Sequence, residues 1–262
     1  MRRLALAAWV ACCAVLPARA ECPPASTIAH AVYGGGLCLA ATTFGVETAG
    51  PRPVLLAVVH GDISDGGPAT YHIGFARTLA RPGVIAVALN RPGYADGQGR
   101  ASQGANYGRS DNYTAGNIAA VGGVIAALKA HYGARRVVYV GHSGGAAVGG
   151  VLIGRRPRLI DVAVLISCPC DIPRWLAERR RAPWTRSLSP SAYVHRVSAA
   201  TEVIAITGAA DDNTTPDLAR DYVAKLAKRG VPARFVSVEG AGHGFSGLRA
   251  ASEMVVNEMI GK

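Results

Sequence analysis

The sixteen residues from Arg136 to Val151, RVVYVGHSGGAAVGGV, constrain the fold more than any other stretch of the chain. Val137, Val138, Tyr139, Val140 and Gly141 have the alternation and β-branching of a buried strand. They run into Gly141-His142-Ser143-Gly144-Gly145 and then into a helix of small residues. A serine on so sharp a strand-to-helix turn takes a strained backbone conformation, with its hydroxyl held out at the carboxyl end of the sheet. Glycines two positions either side are required because a Cβ there would collide with the neighbouring strand and helix. The helix that follows aims its N-terminal N–H groups and positive dipole end at the space beside Ser143. A glycine-rich turn after a strand also opens dinucleotide-binding folds, so the remainder of the chain must decide between the two.

That remainder alternates apolar runs with helical segments, the pattern of a mostly parallel, doubly wound sheet with helices on both faces. Strands are expected at 37–46, 53–60, 84–89, 137–141, 161–167, 201–207 and 233–238. Helices are expected near 73–80, 114–132, 217–228 and 248–260. Residues 95–112 are rich in Gly, Ser and Asn and form a long surface loop at the serine's end of the sheet, where long loops are often functional. Neither an internal repeat nor an interdomain linker stands out, so residues 21–262 read as a single α/β domain, large enough to bury an ample core.

The first twenty residues read as an export signal. Arg2 and Arg3 form the charged start, Leu4 to Leu16 an apolar run too short to span a membrane, and Ala18-Arg19-Ala20 a small-x-small cleavage site. A lipoprotein reading through Cys12 or Cys13 fits less well, since both lie inside the apolar run. No later segment suits a membrane span, which makes the mature protein periplasmic or secreted. Cleavage leaves Cys22, Cys38, Cys168 and Cys170 in a compartment that permits disulfides. Cys22 with Cys38 is the expected pairing, tying the amino terminus to the first strand. Cys168-Pro169-Cys170 is either a tight pair or two thiols, and a C-x-C lacks the helix-borne C-x-x-C geometry of redox motifs.

The net charge of +11 falls to +8 after cleavage, with 25 basic residues against 17 acidic. The arginines are scattered except around Arg174 to Arg196, and no nucleic-acid module, basic helix with interleaved aromatics or zinc spacing accompanies them. Nucleic acid is therefore not an expected partner.

A serine hydroxyl is a poor nucleophile at neutral pH and needs a base in hydrogen-bond reach plus a carboxylate to fix that base's tautomer. In a parallel sheet the loops after successive strands converge on one edge, so these partners should follow downstream strands. The strand ending at Thr207 leads into Gly208-Ala209-Ala210-Asp211-Asp212-Asn213, and the last strand into Gly240-Ala241-Gly242-His243-Gly244-Phe245. The chain order Ser143, Asp211, His243 is one of three known orders for this chemistry.

With His60-Gly61-Asp62 and Arg91-Pro92-Gly93-Tyr94 added, the chain resembles an α/β-hydrolase over about residues 35–262. The resemblance implies Ser143 as nucleophile, His243 as general base and acid, and Asp211 as orienting carboxylate. The oxyanion hole would be the backbone N–H of Gly144 with that of Asp62, or of Ile63 if the loop is shifted by one. Asp212 competes with Asp211, because Pro216 lies one residue later than the family's usual spacing. The carboxylate of Asp62 must turn away from the developing negative charge. His60 is expected to be a structural histidine bonded within its loop, and His142 to point off the other side of the turn and pack against the sheet. The sequons at Asn112 and Asn213 read as chance.

In this family a cap is inserted where residues 168–198 stand, here too short for a large helical lid. Trp175 and Trp184 suit an acyl or leaving-group pocket; the arginines suit a solvated basic face or carboxylate-bearing substrates. The reading is an exported serine hydrolase cleaving small-molecule carboxylic esters, with no metal and no cofactor. A prolyl-oligopeptidase-like peptidase or amidase is the alternative within enzymes, although the chain holds no propeller such as those enzymes often carry. A non-catalytic binding protein on the same fold, and a redox protein using Cys168 and Cys170, are the alternatives outside it. Oligomeric state is not written in the sequence.

Overall fold

A computed structural model describes Cys22 and residues 27–262; the expected export signal at 1–20 lies outside the described residues. The apolar runs become the strands of one eight-stranded sheet: β1 (Ala31–Gly34), β2 (Leu37–Phe44), β3 (Val54–Val59), β4 (Val84–Leu89), β5 (Arg136–His142), β6 (Val162–Ile166), β7 (Glu202–Gly208) and β8 (Ala233–Val238). Their spatial order is β1-β2-β4-β3-β5-β6-β7-β8. β2 runs antiparallel to both its neighbours, and every pair from β4 across to β8 is parallel. This is the mostly parallel, doubly wound α/β-hydrolase sheet that the pattern of runs implies.

β3, β4 and β6 are buried along their whole length, because helices cover both faces. The side-chain period of two then sorts alternate residues. Leu55, Ala57, Val137, Tyr139, Ala163 and Leu165 face one layer, built from α2 (Ala115–His131), α3 (Gly144–Arg155) and α5 (Pro216–Ala227). Val54, Leu56, Val138, Val140, Val162 and Val164 face the other, built from α1 (Tyr71–Leu79) and α6 (Phe245–Gly261). β1 is an addition to the expected strands, too short for periodicity to reveal. It joins β2 through Gly35 and Gly36, both at positive φ, the two-residue hairpin turn that glycine pairs favour.

Residues 168–198 contain α4 (Ile172–Glu178) and a 3-10 stretch, Pro190–Arg196. Helix α4 is started by Asp171, whose carboxylate accepts the N–H of Arg174, with Pro173 in the first turn. The segment packs Ile172, Trp175, Leu176, Val194 and Val197 into the core on the α3 side of the sheet, and polar side chains fasten it further. The buried carboxylate of Asp111 accepts the N–H groups of Thr185, Arg186 and Ser187, and Trp175 Nε1 donates to the carbonyl of Asn213 at 2.9 Å. The sulfurs of Cys22 and Cys38 lie at disulfide distance, as expected, and those of Cys168 and Cys170 are likewise brought together where the segment leaves β6. Among the described residues, no helix is long and apolar enough to cross a membrane.

Candidate active site

The serine turn sits in the middle of the sheet, where β5 hands over to α3. Ser143 takes φ 51°, a conformation an L-residue holds only when its surroundings enforce it. Those surroundings are the two flanking glycines. A Cβ on Gly141 would lie 2.4 Å from the carbonyl oxygen of Gly145, and one on Gly145 would lie 2.4 Å from that of Val59. The turn is therefore as tight as the five-residue pattern requires, and it leaves the Ser143 hydroxyl at the carboxyl rim of the sheet.

The loops after β7 and β8 reach the same rim and are tied together there. Ala210 N donates to Ala241 O, and Ala209 N to Val238 O. His243 Nε2 stands 3.1 Å from Ser143 Oγ, and its Nδ1 stands 3.0 Å from Asp211 Oδ2. Asp212 is exposed, whereas Asp211 is buried, so Asp211 is the carboxylate that meets the imidazole. Its oxygens also accept the N–H groups of Asn213 and Thr214 and the Thr214 hydroxyl. Burial would raise this carboxyl, but the bond and charge of His243 and the Thr214 N–H hold it below the usual range. An ionised Asp211 fixes the proton of His243 on Nδ1 and leaves Nε2 as an acceptor toward Ser143.

Asp62 follows β3 on the other side of the serine. Its carboxylate is engaged on every side: Arg91 Nη2, the Tyr94 hydroxyl at 2.9 Å, Asn112 Nδ2 at 3.0 Å and the Tyr113 hydroxyl at 2.6 Å all donate to it. Burial pushes the carboxyl up, yet the Arg91 guanidinium and these hydrogen bonds outweigh it and keep the group ionised. The carboxylate is thus turned beneath the start of α3, where a Cβ on Gly144 would touch it at 2.8 Å, and its charge is cancelled by a buried arginine. Among the described residues, the backbone N–H groups of Asp62 and Gly144 donate to no other protein group.

His60 is structural, as expected. Its Nδ1 donates to Gly61 O at 2.6 Å, its Nε2 accepts the Arg91 N–H, and burial keeps it neutral. His142 departs from expectation. Rather than packing off the far side of the turn, it lines the cleft under the histidine loop. Its Nε2 donates to the His243 carbonyl at 3.1 Å, which leaves Nδ1 to accept from the Tyr71 hydroxyl at 2.8 Å, and that oxygen accepts the Gly61 N–H at 2.6 Å. Burial, with the nearby His243, pushes His142 down to about 4, so it is neutral and this one tautomer is held. The reason for the departure is tertiary: Tyr71 from α1, and the His243 backbone with Phe245 from the segment after β8, close over the ring. Nothing in the local sequence announces Tyr71.

Ser143 and His243, with Asp211 buried behind the imidazole, line a cleft of about 220 Å³ that Trp175 and Trp184 also wall. The indoles stand edge to face, 5.3 Å apart. Arg109, Arg179 and Arg181 edge its mouth. Neither sequon suits a glycan: Asn112 is buried with its amide bonded to Asp62, and Asn213 sits in the turn that carries Asp211.

Residues 74–259 match the model of the prolyl oligopeptidase family. No curated protein matches the chain. Among solved structures, Est1E from Butyrivibrio proteoclasticus with ferulic acid bound is similar at TM-score 0.67 and 14% identity, over 88% of this chain and 99% of that one. The uncomplexed Pyrococcus horikoshii acylaminoacyl peptidase gives TM-score 0.67 and 16% identity, over 87% of this chain and only 40% of that one. The Pyrococcus furiosus esterase Pf2001 gives TM-score 0.65 and 14% identity, over 87% of each chain.

Proposed function

The chain belongs to the prolyl oligopeptidase family, a family of serine hydrolases, and from that premise we propose that it hydrolyses small carboxylic esters through an acyl-enzyme formed on Ser143. The observation that carries the reading is the unbroken series of hydrogen-bond distances from Ser143 Oγ through the His243 ring to Asp211. In the proposed reaction His243 Nε2 takes the Ser143 proton as Oγ attacks the ester carbonyl, then gives it to the departing alcohol. Asp211 stabilises the imidazolium formed between the two steps. The oxyanion is held by the N–H groups of Gly144 and Asp62, with the dipole of α3 behind the first. The Asp62 carboxylate does not oppose that charge, because Arg91 neutralises it. Water then repeats the attack, and the acid is released.

An ester rather than a peptide substrate is favoured by the size of the cleft. About 220 Å³ walled by two indoles suits one small acyl or alcohol group better than an extended chain. The peptidase reading rests on the family and predicts faster cleavage of aminoacyl-anilides than of esters. We further propose that residues 21–262 act as one domain with 168–198 as a short cap, that residues 1–20 are a cleaved export signal, and that both cysteine pairs are disulfides formed after export.

The test is twofold. Purified protein should hydrolyse p-nitrophenyl butyrate faster than an aminoacyl-p-nitroanilide, and a fluorophosphonate probe should label Ser143. An unlabelled serine would favour a binding protein on this fold.

A further inference from the structure

Among the described residues some arginines are paired with a carboxylate, while others, at the cleft and elsewhere on the molecule, are not. Arg100, Arg174, Arg220, Arg234 and Arg249, on the outer surface, each meet a carboxylate within 3 Å. The three at the mouth of the cleft meet none. Arg109 spends its guanidinium on the carbonyls of Ile63 and Gly67. Arg179 Nη1 donates to the Asp212 carbonyl, while its Nε is buried without a partner. The Arg181 side chain makes no hydrogen bond among the described residues, and its guanidinium lies 5.7 Å from the centre of the Trp175 ring. The one acidic residue lining the cleft, Asp62, already belongs to Arg91. Three positive charges are therefore left uncompensated around a space walled by indoles.

A second, more apolar pocket of about 170 Å³ adjoins the cleft inside the cap, between Ile172, Leu176 and Pro183. It shares Trp184 and Arg181 with the cleft, so Arg181 stands on the border between the two spaces. Apolar walls with a free guanidinium at their edge fit a molecule that is apolar along its length and anionic at one end. Guanidinium groups bind carboxylates by paired, charge-assisted hydrogen bonds, and the low polarity of the indoles strengthens such a contact.

We propose that the substrate is an acidic ester: one whose acyl or alcohol half carries a carboxylate held by Arg181 and Arg179, with its apolar portion against Trp175 and Trp184. The inference rests on the ester-hydrolase reading and names the substrate class of the same site. Arg181 and Arg179 are substrate-positioning residues in it and take no part in the proton transfers.

The test uses matched pairs at low salt. Monoethyl adipate against ethyl hexanoate places the carboxylate on the acyl side; 4-acetoxybenzoate against 4-acetoxybenzamide places it on the leaving group. For at least one pair the acidic ester should have kcat/KM about tenfold above its neutral counterpart. That ratio should shrink severalfold in 0.5 M NaCl, as expected for partly exposed charges. It should fall toward unity in R181Q through a rise in KM, with partial recovery in R181K. Neutral esters turned over as fast as acidic ones, or a ratio unchanged in R181Q, would overturn the substrate class and leave the ester reaction standing. If Ser143 is labelled by fluorophosphonate but none of the four esters turns over, protection from labelling decides. Protection by millimolar 4-hydroxybenzoate but not by 4-hydroxybenzamide would uphold the anion site, and equal or absent protection would overturn it. A serine that is not labelled at all removes the ester-hydrolase reading, and this inference with it.

Discussion

The rim of the sheet and the cap segment 168–198 face each other across the same cleft, yet they are built differently. At the rim, Ser143 immediately follows β5 while Asp211 and His243 lie in the loops after β7 and β8, and backbone hydrogen bonds tie those two loops together. The segment 168–198 lies outside the sheet and is held by apolar packing of Ile172, Trp175, Leu176, Val194 and Val197, by the hydrogen bonds of Asp111 and Trp175, and by a backbone hydrogen bond from Leu188 to Tyr113. A sheet cannot shift one strand end without disturbing its neighbours, so chemistry that needs placement within fractions of an ångström belongs there. A segment outside the sheet can change composition without moving a strand end, and it is here that the two indoles, Arg179 and Arg181 lie. Under the proposed function the contrast is a division of labour, in which the rim carries the reaction and the cap selects what enters.

The comparison can be broken at its strongest point first. Ser143→Ala should lower ester kcat by a factor on the order of 10⁴–10⁶ without altering the circular dichroism spectrum. Activity retained in that variant would remove the rim's role. Asp211→Asn should cost roughly 10³–10⁴ in kcat, since the imidazole loses the group that fixes its tautomer. Asp212→Asn should stay within about twofold of the parent, and the reverse outcome would transfer the role to Asp212. On the cap side, Asp111→Ala leaves three N–H groups without their acceptor, at a cost of about 1–3 kcal/mol. Hydrogen exchange should then quicken at 185–187 and KM should rise severalfold, while kcat changes little. A kcat loss as large as that of Asp211→Asn would show that the two regions are not separable.

The smallest effect is the dependence on acid. Asp62 and Asp211 at the rim and Asp111 under the cap all have carboxyls held below the ordinary range. In each case burial acts upward and donors outweigh it. A depressed folded-state pKa contributes stability that is fully present above the unfolded value of about 3.9 and is lost as pH falls through the folded value. Urea midpoints should therefore be level near pH 6 and decline below about pH 4. Asp62→Asn should flatten that decline, and an unchanged slope would show that Asp62 is not among the groups responsible.

Much of this was legible before the fold. The expected strands at 84–89 and 233–238 coincide with β4 and β8 to the residue, the first a continuous apolar run and the second a β-branched and aromatic stretch, each bounded by turn residues that leave little freedom. The convergence of Ser143, Asp211 and His243 was legible because each lies in the turn or loop that follows a strand, and parallel strands deliver their loops to one edge. β1 escaped notice because four residues carry no measurable period, although Gly35-Gly36 was its one available sign. His142 was misread because a single residue beside a turn carries no local indication of which packed surface will receive it.

What the sequence determined by itself is therefore the sheet, the tight serine turn and the three strand-end residues, all consequences of local pattern and of the obligatory parallel connection. What only tertiary structure decided is the setting of the charged groups. Arg91 and Asp62, 29 residues apart, cancel each other beneath α3, Tyr71 fixes the tautomer of His142, and Arg109, Arg179 and Arg181 at the cleft are left without acids. The physical reason is range: hydrophobic period and turn chemistry act over a few residues, whereas the fate of a charge depends on whichever distant segment is folded against it.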